Sequence, residues 1–228
     1  MKIIERSTFE FLEQLSEHNN RGWFNENKPR YQAEHAKLIS FVDNLLMSIK
    51  GYDQVSNKSG KKSLMRIYRD VRFSKNKLPY NPRFAGSFSR IKPQLRGSYF
   101  FSIAPGATVV GGGFYGPEKD DLKLIRDHIV QDDEPLRSVV VSKSFIDTFG
   151  ALQGDQLKTA PKGFPKDHPS IDLLKYKSLY AFREFTDAEV LAPNFQDQMM
   201  ETFIAIRPFF DVMTEMLTTD LNGLSLIE

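Results

Sequence analysis

SYFFSIAPGATVVGGGFYGP, residues 98–117, is the stretch that decides the fold class. Two runs rich in aromatic and β-branched residues, Ser98–Ala104 and Thr108–Tyr115, flank a Pro-Gly turn. They read as a β-hairpin, so a sheet grown outward from them is biased to antiparallel pairing. Downstream, Pro117, Glu118, Asp120 and Asp121 open a helix running to about Val130, with Leu122, Ile125 and Ile129 inward. Acids in a first turn suit the positive end of the helix dipole. Asp132, Asp133, Glu134 and Pro135 repeat that signal and predict a helix through Phe149, stopped by Gly150. Residues 151–169 read as loop with a short strand around Leu157, then a helix over Ile171–Lys175 and a strand over Ser178–Phe185. Pro193 to Leu217 carries one apolar stripe and predicts a last helix, bent or broken at Pro208.

Upstream, Ser7-Thr8-Phe9-Glu10 fits a capping box, opening a helix that ends near Asn19-Asn20. Arg21-Gly22-Trp23-Phe24 reads as a turn, with Trp23 a core anchor. A second helix begins near Pro29 and stops at Gly51. Residues 52–64 read as a mobile polar loop, and Met65–Phe73 as a strand. Pro79, Pro82 and Pro93 predict loops and broken extended pieces over residues 75–97. The sum is a single α+β domain over residues 1–228, with an antiparallel-biased central sheet covered by the N- and C-terminal helices.

Composition narrows the function classes. The chain has 228 residues, 40% of them hydrophobic, with 31 Lys+Arg, 29 Asp+Glu, four His and no Cys. That is the balance of a globular domain needing no disulfide or metal staple. Absent cysteine removes zinc ribbons, iron–sulfur ligation and a thiol nucleophile. The start, MKIIERSTFEF, reaches charge too soon for a signal-peptide core, and no run spans a membrane. A cytoplasmic protein with no membrane partner is expected. Cofactor and oligomeric state are not legible.

Charge is uneven. Between Lys58 and Arg96 stand twelve Lys/Arg and one acid, Asp70; the rest of the chain holds nineteen cations and twenty-eight acids. Either those acids fold around the segment, or an anionic ligand supplies the missing charge.

Most motifs fail on their chemistry. Gly111–Gly116 matches a dinucleotide-binding pattern, but Glu118, Asp120 and Asp121 would repel a pyrophosphate there. A strand end whose glycines permit a bulge or close packing is the simpler reading. Tyr68-Arg69-Asp70 lacks the partners of a kinase catalytic loop, and no nucleophile elbow exists. His18, His35, His128 and His168 are too scattered for a helical metal motif, so no metal site is assigned. Arg96–Phe101 echoes an RNA-binding strand only faintly and reads as core.

What remains is RIYRDVRFSKNKLPY, residues 66–80. Arginine forks suit phosphate and carboxylate oxygens, and interleaved aromatics suit bases. This run resembles the signature R-I-x-R-D-x-R-F-S-x-x-K-x-P-Y of a conserved domain-of-unknown-function family found in bacteria and fungi. Asn20–Phe24 upstream, Leu157–Phe164 with His168-Pro169 downstream, and the Gly111–Tyr115 stretch extend the resemblance over roughly residues 7–217. It implies a single α+β domain, and no catalytic residue carries over from it. It marks Arg66, Arg69, Asp70, Arg72, Ser74, Lys77 and Tyr80, with Lys158, Lys162 and His168 later.

Three functional readings follow. The first is binding of a phosphorylated or other anionic ligand, a small molecule or nucleic acid. Arg66, Arg69, Arg72 and Lys77 clamp its oxygens, Tyr80 or Phe73 stacks on it, and Lys162 and His168 approach from the later loop. The second is an enzyme acting on a small anionic substrate, with Asp70 or His168 as acid/base. The third is a non-catalytic protein-interaction domain whose basic residues are satisfied internally.

Overall fold

A computed structural model describes residues 3–227. Its elements run α1 (Arg6–Glu17), α2 (Arg21–Glu26), α3 (Lys28–Lys50), α4 (Gly60–Ser63), β1 (Phe84–Ser89), β2 (Ser98–Ile103), β3 (Thr108–Phe114), α5 (Lys119–Gln131), α6 (Glu134–Val140), α7 (Lys143–Phe149), α8 (Ile171–Leu174), β4 (Leu179–Phe185), α9 (Asp187–Leu191) and α10 (Phe195–Thr218). The strands form one antiparallel sheet in the order β1-β2-β3-β4, so the fold is α+β. The quoted hairpin is β2 and β3. Among the described residues no helix is long and apolar enough to cross a membrane.

Contacts group the chain into two compact units. The first holds Met1–Phe88, Phe100–Val110 and Glu184–Glu201. Its core joins Phe9, Phe11, Leu12 and Leu15 of α1 to Leu38, Phe41, Val42, Leu45 and Ile49 of α3, all fully buried. Phe11 faces Phe84 of β1, and Phe41 stacks on Phe195. The second unit holds Ser89–Tyr99, Gly111–Arg183 and Thr202–Glu228. There Tyr99 of β2 packs against both Phe203 and Phe210 of α10, each at 5.0 Å between ring centroids.

Several local expectations are overturned. Helix α1 starts at Arg6, one residue before the supposed cap, and Glu5 makes no side-chain cap bond. Ser7 and Thr8 instead serve tertiary contacts: Lys37 Nζ donates to Ser7 Oγ, and Thr8 Oγ1 donates to Glu34. Residues 21–24 are helical, not a turn, because Asn20 Oδ1 accepts the Trp23 N–H at 3.0 Å and so caps α2. Within residues 52–64, Ser59 caps the short α4. The helix expected over 132–149 is two, since Ser142 caps a fresh start at α7. Strand β1 lies inside the stretch read as loops, between Pro82 and Pro93 and free of both. Its Gly86 lets the Phe101 ring sit where a Cβ would be 2.6 Å away.

The expected strand at Met65–Phe73 is absent. Apart from isolated bridges at Leu64 and Tyr68, this stretch is irregular. Alternation offers no apolar face: Ile67 is buried, while its face-mates Arg69 and Val71 are half-buried and Phe73 is exposed. A strand without a face to bury has nothing to hold it in a sheet.

Glu34 shows how the helical part of the first unit uses a charge. It is 4% exposed. Thr8 Oγ1 donates to its Oε2 at 2.8 Å, and Lys37 Nζ to its Oε1 at 3.1 Å. Burial pushes this carboxyl up, but hydrogen bonds from Thr8, Lys37 and Ser7 and the Lys37 charge outweigh it and hold the pKa below the ordinary 4.5. A depressed folded-state pKa stabilises the protein above the unfolded value and ceases to do so as pH falls through the folded one. Glu34→Gln should therefore cost about 1–2 kcal/mol at pH 7, the worth of charge-assisted hydrogen bonds. The gap to wild type should narrow below pH 4.5. Denaturant midpoints at pH 7 and pH 3.5 test this, and a gap that ignores pH rules it out.

Candidate functional site

Residues Arg66–Tyr80 lie wholly in the first unit and form a loop pinched at its base. The Arg69 N–H donates to Pro79 O at 2.9 Å and the Asn81 N–H to Ile67 O at 2.7 Å, which makes the Tyr68–Tyr80 bridge. Just outside, the Met65 N–H donates to Ala85 O at 2.8 Å. Asn19 then acts as a side-chain strand neighbour. Its Oδ1 accepts the Tyr80 N–H at 3.1 Å and its Nδ2 donates to Tyr80 O at 3.0 Å. Phe24 of α2 stacks on Tyr80 with centroids 4.0 Å apart. The Asn20–Phe24 stretch and the central motif, separate in sequence, are thus one structural unit.

The loop tip is organised by its own polar groups. Asp70 Oδ1 accepts the Arg72 backbone N–H at 3.2 Å, and the Arg72 guanidinium spans both Asp70 oxygens, the shortest contact 2.7 Å from Nη2. The Arg72 fork and backbone, helped by the charge of Arg66, hold the Asp70 carboxyl below the usual carboxylate range. Lys77 Nζ donates to Val71 O at 2.9 Å, and Asn76 Oδ1 accepts the Leu78 N–H. The Asp70–Arg72 pair is exposed, not buried as a core orienting pair would be. Ser74 is half-buried and its N–H donates to Val71 O.

Cations divide into paired and unpaired. Arg72 is held by Asp70, while in the second unit Arg90 meets Asp211 and Arg96 meets Asp121. The side chains of Arg66, Arg69, Lys75 and Arg83 make no hydrogen bond or ion pair among the described residues. Arg66 and Lys75 are exposed and Arg69 is half-buried.

Beside these cations, three tyrosine rings surround Phe24: Tyr31 at 5.2 Å, Tyr68 at 5.7 Å and Tyr80 at 4.0 Å. Their hydroxyls find no hydrogen-bond partner among the described residues. Burial, and secondarily the neighbouring Tyr68, push the Tyr31 and Tyr80 phenols up, so they are protonated donors at neutral pH. Burial, with the charge of Lys61, holds His35 below its ordinary value and hence neutral. Tyr80 is only 4% exposed, so its ring is spent on Phe24 and is not open to an incoming ligand; Phe73, 95% exposed, is. Sequence reasoning gives Tyr68 only as one of the aromatics interleaved with the charges, Asn19 only as part of a helix end, and Tyr31 no part at all. The doubled Asn19-Asn20 was the available signal, since one cap needs only one of them.

Lys162 and His168 belong to the second unit. Lys158 and Lys162 are exposed, and His168 Nδ1 accepts the Ser170 N–H at 3.1 Å in a local turn. That unit also carries two cavities. One, about 180 Å³, lies between α5, α10 and the turn at 219–223. The other, about 210 Å³, is lined by Lys92, Arg96 and the glycine-rich end of β3. The glycines themselves pack strand on strand: a Cβ on Gly111 would meet Ala181 O at 2.0 Å, and one on Gly112 would meet Ser98 O at 2.5 Å. No group of three or more His, Asp or Glu suited to a metal exists among the described residues.

Compared with known proteins, residues 7–211 match the sequence model of a family described as conserved hypothetical protein, DUF2461. No curated protein and no solved structure matches the chain.

Proposed function

The chain belongs to the conserved hypothetical protein family DUF2461, and from that premise we propose that the loop Arg66–Tyr80 binds the phosphate backbone of a nucleic acid. The observation that carries this is the unspent charge of Arg66, Arg69 and Lys75 on a loop whose base is pinned. Internal neutralisation would have paired these groups with the chain's many acids. The Tyr31 hydroxyl, kept protonated by burial, adds a neutral donor in the same unit. An exposed loop suits an extended polyanion better than a free nucleotide, which pockets normally enclose. Acid/base catalysis by Asp70 gets the opposite support, because Arg72 occupies both of its oxygens.

The test is binding of a labelled twenty-nucleotide single strand across a salt series. Each phosphate neutralised contributes about 0.7 to the slope of log affinity against log salt. Arg66→Ala with Arg69→Ala should flatten that slope by about 1.4, or weaken binding roughly sixty-fold at 50 mM salt if the proteins converge at 1 M. Equal slopes for the two proteins would sink the assignment.

A further inference from the structure

The most exposed large apolar side chain among the described residues is Phe73, at 95%. A single exposed ring is ordinary in itself, and its setting says what it is placed to meet. The backbone on either side is held from within the loop: Asp70 accepts the Arg72 N–H, Lys77 donates to Val71 O, and the Ser74 N–H donates to Val71 O. The ring therefore stands on a braced tip. The Arg72 guanidinium lies 5.9 Å from the ring centroid, fixed there by Asp70. Lys75 follows two residues after the ring, and Arg66 and Arg69 stand towards the base of the same loop, each with a side chain that makes no hydrogen bond or ion pair among the described residues.

We infer that Phe73 is a stacking platform for an unpaired base, so that the loop selects single-stranded over duplex nucleic acid. This rests on the phosphate-backbone reading above and deepens it. Aromatic rings stack on bases of any sequence, because every base presents a π-face, and cations beside the ring track the backbone. In a duplex those faces are already covered by neighbouring bases. A lipid surface would draw the same cations, but its acyl region rewards several apolar side chains advanced together. Here Arg72, Ser74, Lys75 and Asn76 flank the ring, and the loop's other exposed apolar side chains, Tyr68 and Leu78, are only about half exposed.

Anisotropy titrations at 50 mM salt test this with dT20, U20, a dT20·dA20 duplex and phosphatidylserine vesicles. Stacking on one base changes affinity by about 5–150-fold. Phe73→Ala should weaken dT20 or U20 by that factor, leave duplex binding within about twofold, and leave the salt slope intact. Phe73→Trp should restore single-strand binding, and unchanged unfolding midpoints show both variants folded. The DNA and RNA arms tell which strand is preferred. Equal losses on strand and duplex, or no loss on either while the double arginine variant still flattens the slope, overturn stacking and leave the electrostatic reading standing. Vesicle binding that depends on Phe73 and exceeds binding to dT20 and U20 overturns it in favour of lipid. No binding of wild type to any oligonucleotide overturns both readings.

Discussion

Gly111→Ala should lower the thermal midpoint by about 6–12 °C. The added methyl would stand 2.0 Å from the Ala181 carbonyl oxygen, and 2.9 Å from both Ala181 C and Phe182 Cα. All three are backbone atoms of β4, so no flexible side chain can step aside. Relief requires β3 and β4 to spread, which breaks ladder hydrogen bonds or opens the core behind them. Overpacking commonly costs 1–3 kcal/mol, and a clash against backbone belongs at or above the top of that range, about 3 kcal/mol. For a chain of this size each kcal/mol moves the midpoint by about 2–4 °C. Gly106→Ala is the contrast. Its φ of +67° strains a side chain, but nothing lies within 4 Å, so only the backbone cost of about 1 kcal/mol applies. Circular-dichroism melts of both variants decide the matter. A Gly111→Ala drop no larger than that of Gly106→Ala would show that the strands are not forced together.

Asp211→Ala should cost about 3 kcal/mol, again in thermal unfolding. Arg90 has a side chain with no solvent exposure, and its Nη2 donates to Asp211 Oδ1 at 2.6 Å. Its Nη1 donates to Thr214 Oγ1 and to Arg96 O, and its guanidinium lies over the Phe210 ring. Removing the carboxylate takes away the anion that this cation, sealed from water, meets through its Nη2. Breaking a buried pair typically costs 3–5 kcal/mol. The lower end applies, because Asp211 itself is half exposed. That asymmetry gives a second expectation for the same pair. Arg90→Met leaves Asp211 in reach of water and of Arg207 at 3.4 Å, so it should be the milder substitution. If the two variants melt together, the buried charge is not what the pair is holding.

These two cases also show what was legible in the residues. The hairpin, the long helices α3 and α10 and the stop at Gly51 follow from periodicity and punctuation. The glycine run was read as strand packing on the strength of the acids after it, and Gly111 bears that out. Legibility failed where a side chain serves a distant partner. Ser7 looks like a cap but receives Lys37, and Arg90 looks like one more free cation but finds Asp211 across the sequence. Asn19 reaches Tyr80 over 61 positions. For the candidate site, the unspent charge of Arg66 and Arg69 could be suspected from counting acids. That Tyr80 is buried while Phe73 stands clear could not, because alternation over 65–73 puts Phe73 on the face of the buried Ile67 and the proline-rich stretch after it offers no period for Tyr80.

The pinned base of the loop carries a consequence for its tip. Residues 70–78 place no side chain in the core, and the hydrogen bonds that close the loop lie at Ile67, Arg69, Pro79, Tyr80 and Asn81. The bonds that brace the tip, from Asp70, Arg72, Asn76 and Lys77, are made within it and not to the base. The tip can therefore be exchanged without rebuilding the base, so that what the loop presents to its surroundings is set apart from what holds the loop in place.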